Sequence, residues 1–507
     1  MTNSARPAGY ALNAIANGAT VAFAALVSFF LSPFIVQHLG ATRYGVWSLT
    51  AGLVGYLGLL DLGIRQAVSR YVARHRAASA HHESSLIVSA ALRLFGFLGL
   101  LAILLSGLLA YFAPILFNIP EAMIDEARII VLLGGLTLSV SLVGGVFGGV
   151  VTGIERFDVQ GVIEIFITSV RSIAIVLALR AGYGLVTLAV IQLATSILNC
   201  GLYWVAAQKV YAELRIKWRG VLSPHMRTIL SFSASLTVLY AVGRVISYTD
   251  TAIIGAFLPI DAVTSFVIAS SLCIYAKEIP RSLSYQMAPR VSAMISVGNS
   301  RVGEEILEIA RIATLVSVPI TLTFILRGES FISLWMGPEY GPLSGQVLRV
   351  LALGVLLDAS RSVVVLSFTG MAKQGRIIPG LAIEAMCNLA LSLALVRPLG
   401  IVGVALGTLI PGTLVTLVYL PRRLSKETGI PASFFCRKAV LIPAIACLPF
   451  GMATAAIEKF MPAANLLIFF LEVILLLPCV PMAAWFLCFS PAERGSMKSG
   501  IRKLVKR

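Results

Sequence analysis

Residues 86–112 read LIVSAALRLFGFLGLLAILLSGLLAYF, a stretch of 27 residues with a single charge, Arg93. A helix needs about 20 apolar residues to cross the roughly 30 Å hydrocarbon core of a bilayer, so this stretch predicts a membrane-spanning helix. Similar stretches recur along the 507 residues, of which 58% are hydrophobic and only 12% charged. Soluble domains carry about twice that charge. We therefore predict an all-α polytopic membrane protein with about 14 transmembrane helices, which excludes an ordinary soluble enzyme.

Apolar windows bounded by charged residues, proline or glycine predict the individual helices. They lie at 11–36, 44–64, 86–112, 128–152, 160–180, 183–207, 229–256, 262–279, 309–327, 345–370, 377–396, 400–420, 438–457 and 464–489. Most of the 40 Lys and Arg residues fall in every second connection and in the C-terminal tail. Cytoplasmic loops of membrane proteins are enriched in these residues, so we expect both termini to face the cytoplasm. This topology explains the net charge of +17, and we expect no nucleic-acid partner.

An internal repeat relates the two halves of the chain at a nearly constant spacing. Residues 116–121, LFNIPE, match residues 334–339, LWMGPE, and the Thr-Gly pair at 152–153 matches the pair at 369–370. Matched segments lie on the same predicted side of the membrane, so the repeats are parallel, as in many transporters. We predict a six-helix lobe at 1–220, a second six-helix lobe at 221–425, and two accessory helices with a basic tail at 426–507.

The first helical hairpin carries the motifs LGATRYGVW at 39–47 and LDLGI at 60–64, followed by a basic run at 65–76. Together with YTDTAIIG at 248–255, Ala288-Pro289 and GMAK at 370–373, this pattern resembles bacterial polysaccharide flippases of the O-antigen type. These belong to the multidrug, oligosaccharidyl-lipid and polysaccharide exporter superfamily. The resemblance implies two six-helix lobes in a V shape. It also implies movement of a polyprenyl-diphosphate-linked oligosaccharide from the cytoplasmic to the outer leaflet of the bacterial inner membrane. We expect Asp61 to be a structural part of the LDLGI turn.

Cationic residues at membrane depth are the main candidates for function, because burying a charge in a bilayer is costly. Arg171, Arg244 and Arg361 fall near the middle of predicted helices, while Arg93 and Arg349 lie nearer helix ends. A guanidinium group makes paired contacts with phosphate. We predict that these five arginines line a cationic central cavity, with Arg244 as the best single ligand contact. Alternatively, Arg93 and Arg349 extend to the membrane interface.

Carboxylates at membrane depth are candidates for carrying a coupling H⁺ or Na⁺. They are Glu164, Asp250, Asp358 and Glu384. The alternative is that they neutralise arginines. Asp358 lies three positions before Arg361, and Glu164 lies seven positions before Arg171, so each pair can share one helical face.

We expect neither a metal site nor a cofactor, and no catalytic residue. The seven cysteines have no C-x-x-C spacing, and the five histidines lack metal-ligand spacing with cysteine or carboxylate. The cytoplasmic loops also lack the Gly-Lys-Ser/Thr ending of an ATP-binding Walker loop.

Other functions remain open at this point. A drug or metabolite antiporter of the same superfamily is one, and a flippase for a lipid-linked peptidoglycan precursor is another. A membrane enzyme is disfavoured, because the connections predicted outside the cell, at about 113–127 and 328–344, are too short for a catalytic domain. We expect a monomer whose partners are membrane lipids and the lipid-linked substrate. Further polysaccharide-assembly proteins of the membrane are candidate partners.

Overall fold

A computed structural model of the chain describes residues 7–61, 63–217, 223–489 and 494–495. Nearly all residues in these ranges are helical and no β-strand occurs among them, which confirms the all-α prediction. Eleven helical stretches of the described chain are long and apolar enough to span a membrane. The protein is therefore a multi-pass membrane protein, while the number 14 stays a prediction.

The chain divides into two compact units, unit 1 up to Thr264 and unit 2 from Ser265 on. Unit 1 contains α1 (Pro7–Leu57), α2 (Ile64–Ala77), α3 (His81–Leu116), α4 (Ile124–Gly153), α5 (Phe157–Arg180), α6 (Leu185–Val210) and α7 (Ser223–Phe257). Short 3₁₀ turns at Gly58–Asp61 and Glu121–Met123 precede α2 and α4. The lobes at 1–220 and 221–425 follow the sequence repeat and remain a prediction.

Unit 2 begins within α8 (Ile260–Ser284). It continues with α9 (Met287–Ser296), α10 (Val302–Met336), α11 (Gly341–Gly370), α12 (Ile378–Leu414), α13 (Leu420–Thr428), α14 (Ala432–Cys436), α15 (Ile442–Ala446), α16 (Leu448–Phe460), α17 (Leu466–Leu476) and α18 (Cys479–Leu487). A 3₁₀ turn lies at Gln374–Arg376, and π-helical turns join α12 to α13 at Val415–Tyr419 and α14 to α15 at Arg437–Leu441.

Two long helices contain a break at a glycine. Gly40 in α1 has φ 76° and Gly400 in α12 has φ 59°, whereas their neighbours are helical. Positive φ costs glycine little because it has no Cβ. Gly40 lies in the predicted connection between the helices at 11–36 and 44–64, and Gly400 is the first residue of the predicted helix at 400–420. Each break therefore separates two predicted spans.

The turns that follow α4 and α11 have the same backbone hydrogen bonds. Three successive N–H groups donate in each turn, those of residues 154–156 and of residues 371–373, and they reach back four, three and five positions in that order. Glu155 and Ala372 have φ values of 63° and 55°. The turn after α2 has the same hydrogen bonds, with Ser79 at φ 53°. The pattern is a common way to end a helix, and it recurs at two positions that the sequence repeat relates.

Glycines of α4 bring that helix close to α2. A Cβ on Gly149 would lie 2.9 Å from the Arg65 carbonyl oxygen, and one on Gly153 would lie 2.6 Å from the Ser69 carbonyl oxygen. Small residues allow this close backbone approach between membrane helices. The packing fixes the start of α2, and with it the Arg65 side chain, beside α4.

Candidate functional site

A cavity of about 360 Å³ lies within unit 1. Its wall is formed by the second half of α1, the following 3₁₀ turn and the start of α2. Residues of α4, α6 and α7 complete the wall. The polar and glycine residues that line it include Trp47, Thr50, Gly55, Gly58, Asp61, Arg65, Thr137, Ser141, Gly145, Gln192 and Arg244. This volume is near the lower end of the range for small-molecule pockets. The cavity can therefore hold a headgroup, not a whole lipid-linked oligosaccharide.

Arg244 on α7 is one of the five predicted arginines, and it lines this cavity. Its Nη1 donates to the Gly55 carbonyl oxygen at 3.3 Å and to the Tyr248 hydroxyl at 3.4 Å. The guanidinium also lies 5.9 Å from the centre of the Tyr248 ring. Both acceptors are neutral, and the guanidinium has further N–H groups to donate to a ligand.

Two charged residues of the cavity, Asp61 and Arg65, were not predicted as site residues. The Asp61 carboxylate interacts electrostatically with both Arg65 and Arg244. Arg65 in turn acts electrostatically on the Tyr203 hydroxyl. The cavity thus has two guanidinium groups and one carboxylate in its lining. The signal in the sequence was the LDLGI turn, which ends next to Arg65.

The other predicted residues of unit 1 lie outside the lining of this cavity. Arg171 is half-buried in α5, where its Nε donates to Thr195 Oγ1 at 3.2 Å, and Glu164 acts on it electrostatically. Glu164 Oε1 accepts a hydrogen bond of 2.7 Å from the Tyr203 hydroxyl. Arg93 is half-buried in α3, and Asp250 is buried in α7.

In unit 2 the predicted residues form ion pairs between helices. Arg361 Nη1 donates to Glu384 Oε1 at 2.6 Å. Asp358 accepts bonds of 2.7 and 3.1 Å from Nε and Nη2 of Arg281. The predicted ion pair between Asp358 and Arg361 is therefore wrong, because each residue is hydrogen bonded to a residue of another helix. Asp358 of α11 is bonded to Arg281 of α8 and Arg361 of α11 to Glu384 of α12 instead, and Arg361 acts on Asp358 only electrostatically.

Arg349 of α11 pairs with Glu329 of α10 at 2.9 Å. Nearly half of each side chain is exposed, so this pair differs from the buried ones of the same unit. An exposed pair of this kind contributes little to stability.

The sequence did not single out Arg327, the most buried arginine among the described residues of unit 2. The Arg327 side chain is fully buried, and it donates to Glu458 at 2.7 Å and to Glu472 at 2.6 Å. Its guanidinium also lies 4.5 Å from the centre of the Phe469 ring. Because Glu458 and Glu472 belong to α16 and α17, this cluster attaches the predicted accessory helices to α10.

A family model described as polysaccharide biosynthesis protein matches residues 11–278, which is more than half of the chain. The chain belongs to this family. Family membership confirms the resemblance to polysaccharide flippases that the motifs of the first hairpin indicated. The matched residues include every residue that lines the cavity of unit 1.

Relatives of this polysaccharide biosynthesis protein include a proposed O-antigen transporter from Shigella flexneri. That protein is 22% identical over 335 residues, which cover 64% of this chain and 76% of the transporter.

Two solved structures have the same fold. The lipid II flippase MurJ, in an inward closed conformation, matches with a TM-score of 0.69 at 14% identity, over 94% of this chain and 98% of MurJ. An inward-facing multidrug resistance MATE transporter of the MOP superfamily matches with a TM-score of 0.66 at 13% identity, over 80% of this chain and 96% of the transporter. At these identities the likeness concerns the fold alone.

Proposed function

We propose that this polysaccharide biosynthesis protein is a lipid-linked oligosaccharide flippase. It moves a polyprenyl-diphosphate-linked glycan from the cytoplasmic to the outer leaflet of the bacterial inner membrane by alternating access, with both termini in the cytoplasm. The observation that carries this proposal is the cavity of unit 1, where Arg65 and Arg244 outnumber the single carboxylate of Asp61. The family and the O-antigen transporter relative support the class of substrate.

The diphosphate is the part of such a substrate that matches the charge of this cavity. Each phosphate group presents several oxygens that accept hydrogen bonds, and a guanidinium offers five N–H donors in a planar fork. Charge-assisted hydrogen bonds are stronger than neutral ones, and more so away from bulk water. Cationic drugs would instead be repelled by the excess positive charge, so the cavity favours the flippase over a drug antiporter.

We propose that coupling to H⁺ or Na⁺ involves Glu384 in unit 2. The Glu384 side chain is almost fully buried, and its Oε2 has no hydrogen-bond partner within the described part of the chain. The same holds for Oδ1 of Asn388, one helical turn further along α12. Oxygen atoms of this kind bind a proton or a hard cation. The other oxygen of Glu384 accepts from Arg361, whereas both oxygens of Asp358 accept from Arg281 and Glu164 is bonded to Tyr203, which makes these two the weaker candidates. Asp250, which is buried in α7, stays a candidate.

The proposal is tested in a bacterial strain that lacks this gene. Polyprenyl-linked oligosaccharides are analysed by mass spectrometry, with rescue by the wild-type gene, by Arg244→Ala and by the control Arg128→Ala, and drug sensitivity is scored in parallel. Arg128 lies on α4 in an exposed pair with Asp125. We expect a diphosphate-linked oligosaccharide to accumulate on the cytoplasmic side. Wild type and Arg128→Ala should clear it, and Arg244→Ala should not.

Two outcomes contradict the proposal. Unchanged lipid-linked glycans together with sensitivity to cationic compounds would replace the flippase by the drug antiporter. Accumulation of a lipid-linked peptidoglycan precursor alone would keep the transport class and change the cargo.

A further inference from the structure

Charged side chains form a row across three helices of unit 2. Glu278 and Arg281 lie on α8, Asp358 and Arg361 on α11, and Glu384 on α12. Arg281 donates to Glu278 at 3.3 Å and to Asp358 at 2.7 Å, and Arg361 donates to Glu384 at 2.6 Å. The interaction between Asp358 and Arg361 is electrostatic. The row therefore alternates in sign from the end of α8 to a buried carboxylate of α12.

Asp358 faces the guanidinium groups of two arginines. Both of its oxygens accept hydrogen bonds from Arg281, at 2.7 and 3.1 Å. Arg361 is three positions further along α11, a spacing at which opposite charges on a helix are neighbours. The structure thus shows one of two arrangements that this spacing allows. In the other arrangement, Asp358 pairs with Arg361 and releases Arg281.

The charge of Glu384 decides between these arrangements. A proton would neutralise its carboxylate, and a bound Na⁺ would repel Arg361, so in either case Arg361 loses its partner. The Arg361 side chain is 21% exposed and that of Arg281 is 37% exposed. A less exposed cation loses more free energy when it is left unpaired. Arg281 also keeps Glu278 when it leaves Asp358, so Asp358 should pass to Arg361.

The bond between Arg281 and Asp358 ties the end of α8 to α11. Beside it, the hydroxyl groups of Ser284 and Ser362 form a neutral hydrogen bond of 2.8 Å, and neutral bonds are weaker than charge-assisted ones. Pro280 precedes Arg281 and lacks a backbone N–H, so α8 can bend at this point. Loss of the Arg281 bond therefore leaves the end of α8 held by the weaker contact.

We infer that Asp358 switches from Arg281 to Arg361 when Glu384 binds its coupling ion, and that this switch loosens the end of α8 from α11. The inference rests on the proposed function, because Glu384 is the proposed site of the coupling ion. In both arrangements Arg361 is neutralised by a carboxylate of the protein. Arg281, Asp358 and Arg361 are positioning residues, through which ion binding at Glu384 reaches α8.

Two further titratable groups lie along the row in the described part of unit 2. Lys277 of α8 acts electrostatically on Asp358, and the Tyr285 hydroxyl donates to Glu278 at 3.0 Å. Both groups belong to the α8 end of the row. The switch itself requires a new partner only for Asp358 and the two arginines.

The test measures hydrogen–deuterium exchange by mass spectrometry on the full chain in phosphatidylcholine nanodiscs. Peptides that cover 275–285 report on the end of α8. The variants are Glu384→Gln, which carries a neutral side chain, Asp358→Asn, which weakens the bond to Arg281, and the double variant. Glu329→Gln is the matched control, because Glu329 pairs with another arginine of α11, Arg349.

We expect Glu384→Gln to speed hydrogen exchange at the end of α8 about tenfold, as the loss of one charge-assisted contact would give. Asp358→Asn should give a similar increase, and the double variant no more than either. Arg361→Gln added to Glu384→Gln should restore the wild-type rate, because no second arginine then competes for Asp358. Glu329→Gln should leave the end of α8 unchanged.

The inference is overturned if Glu384→Gln leaves the end of α8 at the wild-type rate of hydrogen exchange. It is also overturned if the increases from Glu384→Gln and Asp358→Asn multiply in the double variant. Faster exchange in every helix of unit 2 contradicts it as well, because the switch acts on α8.

The wild type reports on the proposed function separately. Its hydrogen exchange is compared in NaCl and KCl, and in mildly acidic and mildly alkaline buffer after correction for the intrinsic rate. The condition that loads Glu384 should speed exchange at the end of α8. If no condition does so although Glu384→Gln does, the coupling role of Glu384 is wrong and the switch of arginine partners stands.

Discussion

Arginines within the helices have different partners in the two units of this protein. In unit 1, Arg244 donates to a backbone carbonyl and a tyrosine hydroxyl at the edge of a cavity. In unit 2, Arg361 and Arg327 donate to carboxylates at 2.6 to 2.7 Å. Arg244 has neutral hydrogen-bond acceptors and shares the Asp61 carboxylate with Arg65, so the pair of arginines keeps an excess positive charge that a ligand can neutralise. An arginine between carboxylates has already been neutralised by the protein.

The two units use arginines within the membrane in different ways. Placing a charge in the membrane is unfavourable unless something compensates it. In unit 2 the compensation is permanent, because helices supply both members of each ion pair. In unit 1 Asp61 compensates Arg65 and Arg244 only in part, which leaves the rest of the compensation to the bound substrate. We expect substitutions in unit 2 to change stability first, and substitutions in unit 1 to change binding first.

The largest effect is expected for Arg327→Ala in unit 2. It leaves the buried carboxylates of Glu458 and Glu472 without a cation, and breaking a buried ion pair on one side costs about 3–5 kcal/mol. Arg349→Ala is the control, because its pair with Glu329 is half exposed and should contribute about 0–1 kcal/mol. Thermal unfolding in detergent measures both. Equal losses for the two variants would show that burial does not distinguish these pairs.

The second prediction compares the two units directly. Arg244→Gln should weaken binding of farnesyl diphosphate by about 1.5–3 kcal/mol, the contribution of hydrogen bonds to charged groups, while the unfolding temperature stays close to that of the wild type. Arg361→Gln should lower the unfolding temperature, because Glu384 loses its cation, and the double variant with Glu384→Gln should restore it. The comparison between units fails if Arg361→Gln reduces binding and leaves stability unchanged.

Most of the fold was predictable from the sequence because it depends on local features. Apolar runs of sufficient length predicted the helices, and the repeated Thr-Gly pairs predicted matching turns after α4 and α11. Gly40 and Gly400 leave the helical conformation, so α1 and α12 each consist of two helices that meet at a glycine, close to the predicted boundaries.

The partners of the charged residues were less predictable, because they depend on which helices lie side by side. Asp358 has an arginine three positions away, yet it pairs with Arg281, 77 positions distant. Asp61 and Arg65 lie at a helix end, where charges ordinarily indicate topology, and only the packing of α2 on α4 places them at the cavity. Arg244 was found because it lies in the middle of an apolar run.

The third prediction tests whether the cavity of unit 1 is the binding site. A Cβ on Gly145 would meet no atom within 4 Å, and Gly145 lines the cavity. Gly145→Leu should therefore fill part of it without disturbing the helices, and should weaken farnesyl diphosphate binding by about 1.4 kcal/mol, or tenfold. Gly201→Leu is the control, because Gly201 also has no atom within 4 Å but lies on the exposed side of α6. If both variants bind as the wild type does, the ligand sits elsewhere.

The smallest effect is expected for Gly58→Ala, which tests how Arg244 is positioned. The added methyl group would lie 2.6 Å from Nη1 of Arg244, so the guanidinium must move. Because this is the far end of a flexible side chain, the fold should absorb the change with a loss of stability under about 1 kcal/mol. Binding of farnesyl diphosphate should fall about threefold, through a shifted guanidinium whose hydrogen bonds to the ligand are less well aligned. In the Arg244→Gln background the same substitution should have no further effect on binding. An additive loss in the double variant would show that Gly58 affects binding by a route other than Arg244. The position of the Arg244 guanidinium would then not explain how the cavity of unit 1 binds the ligand.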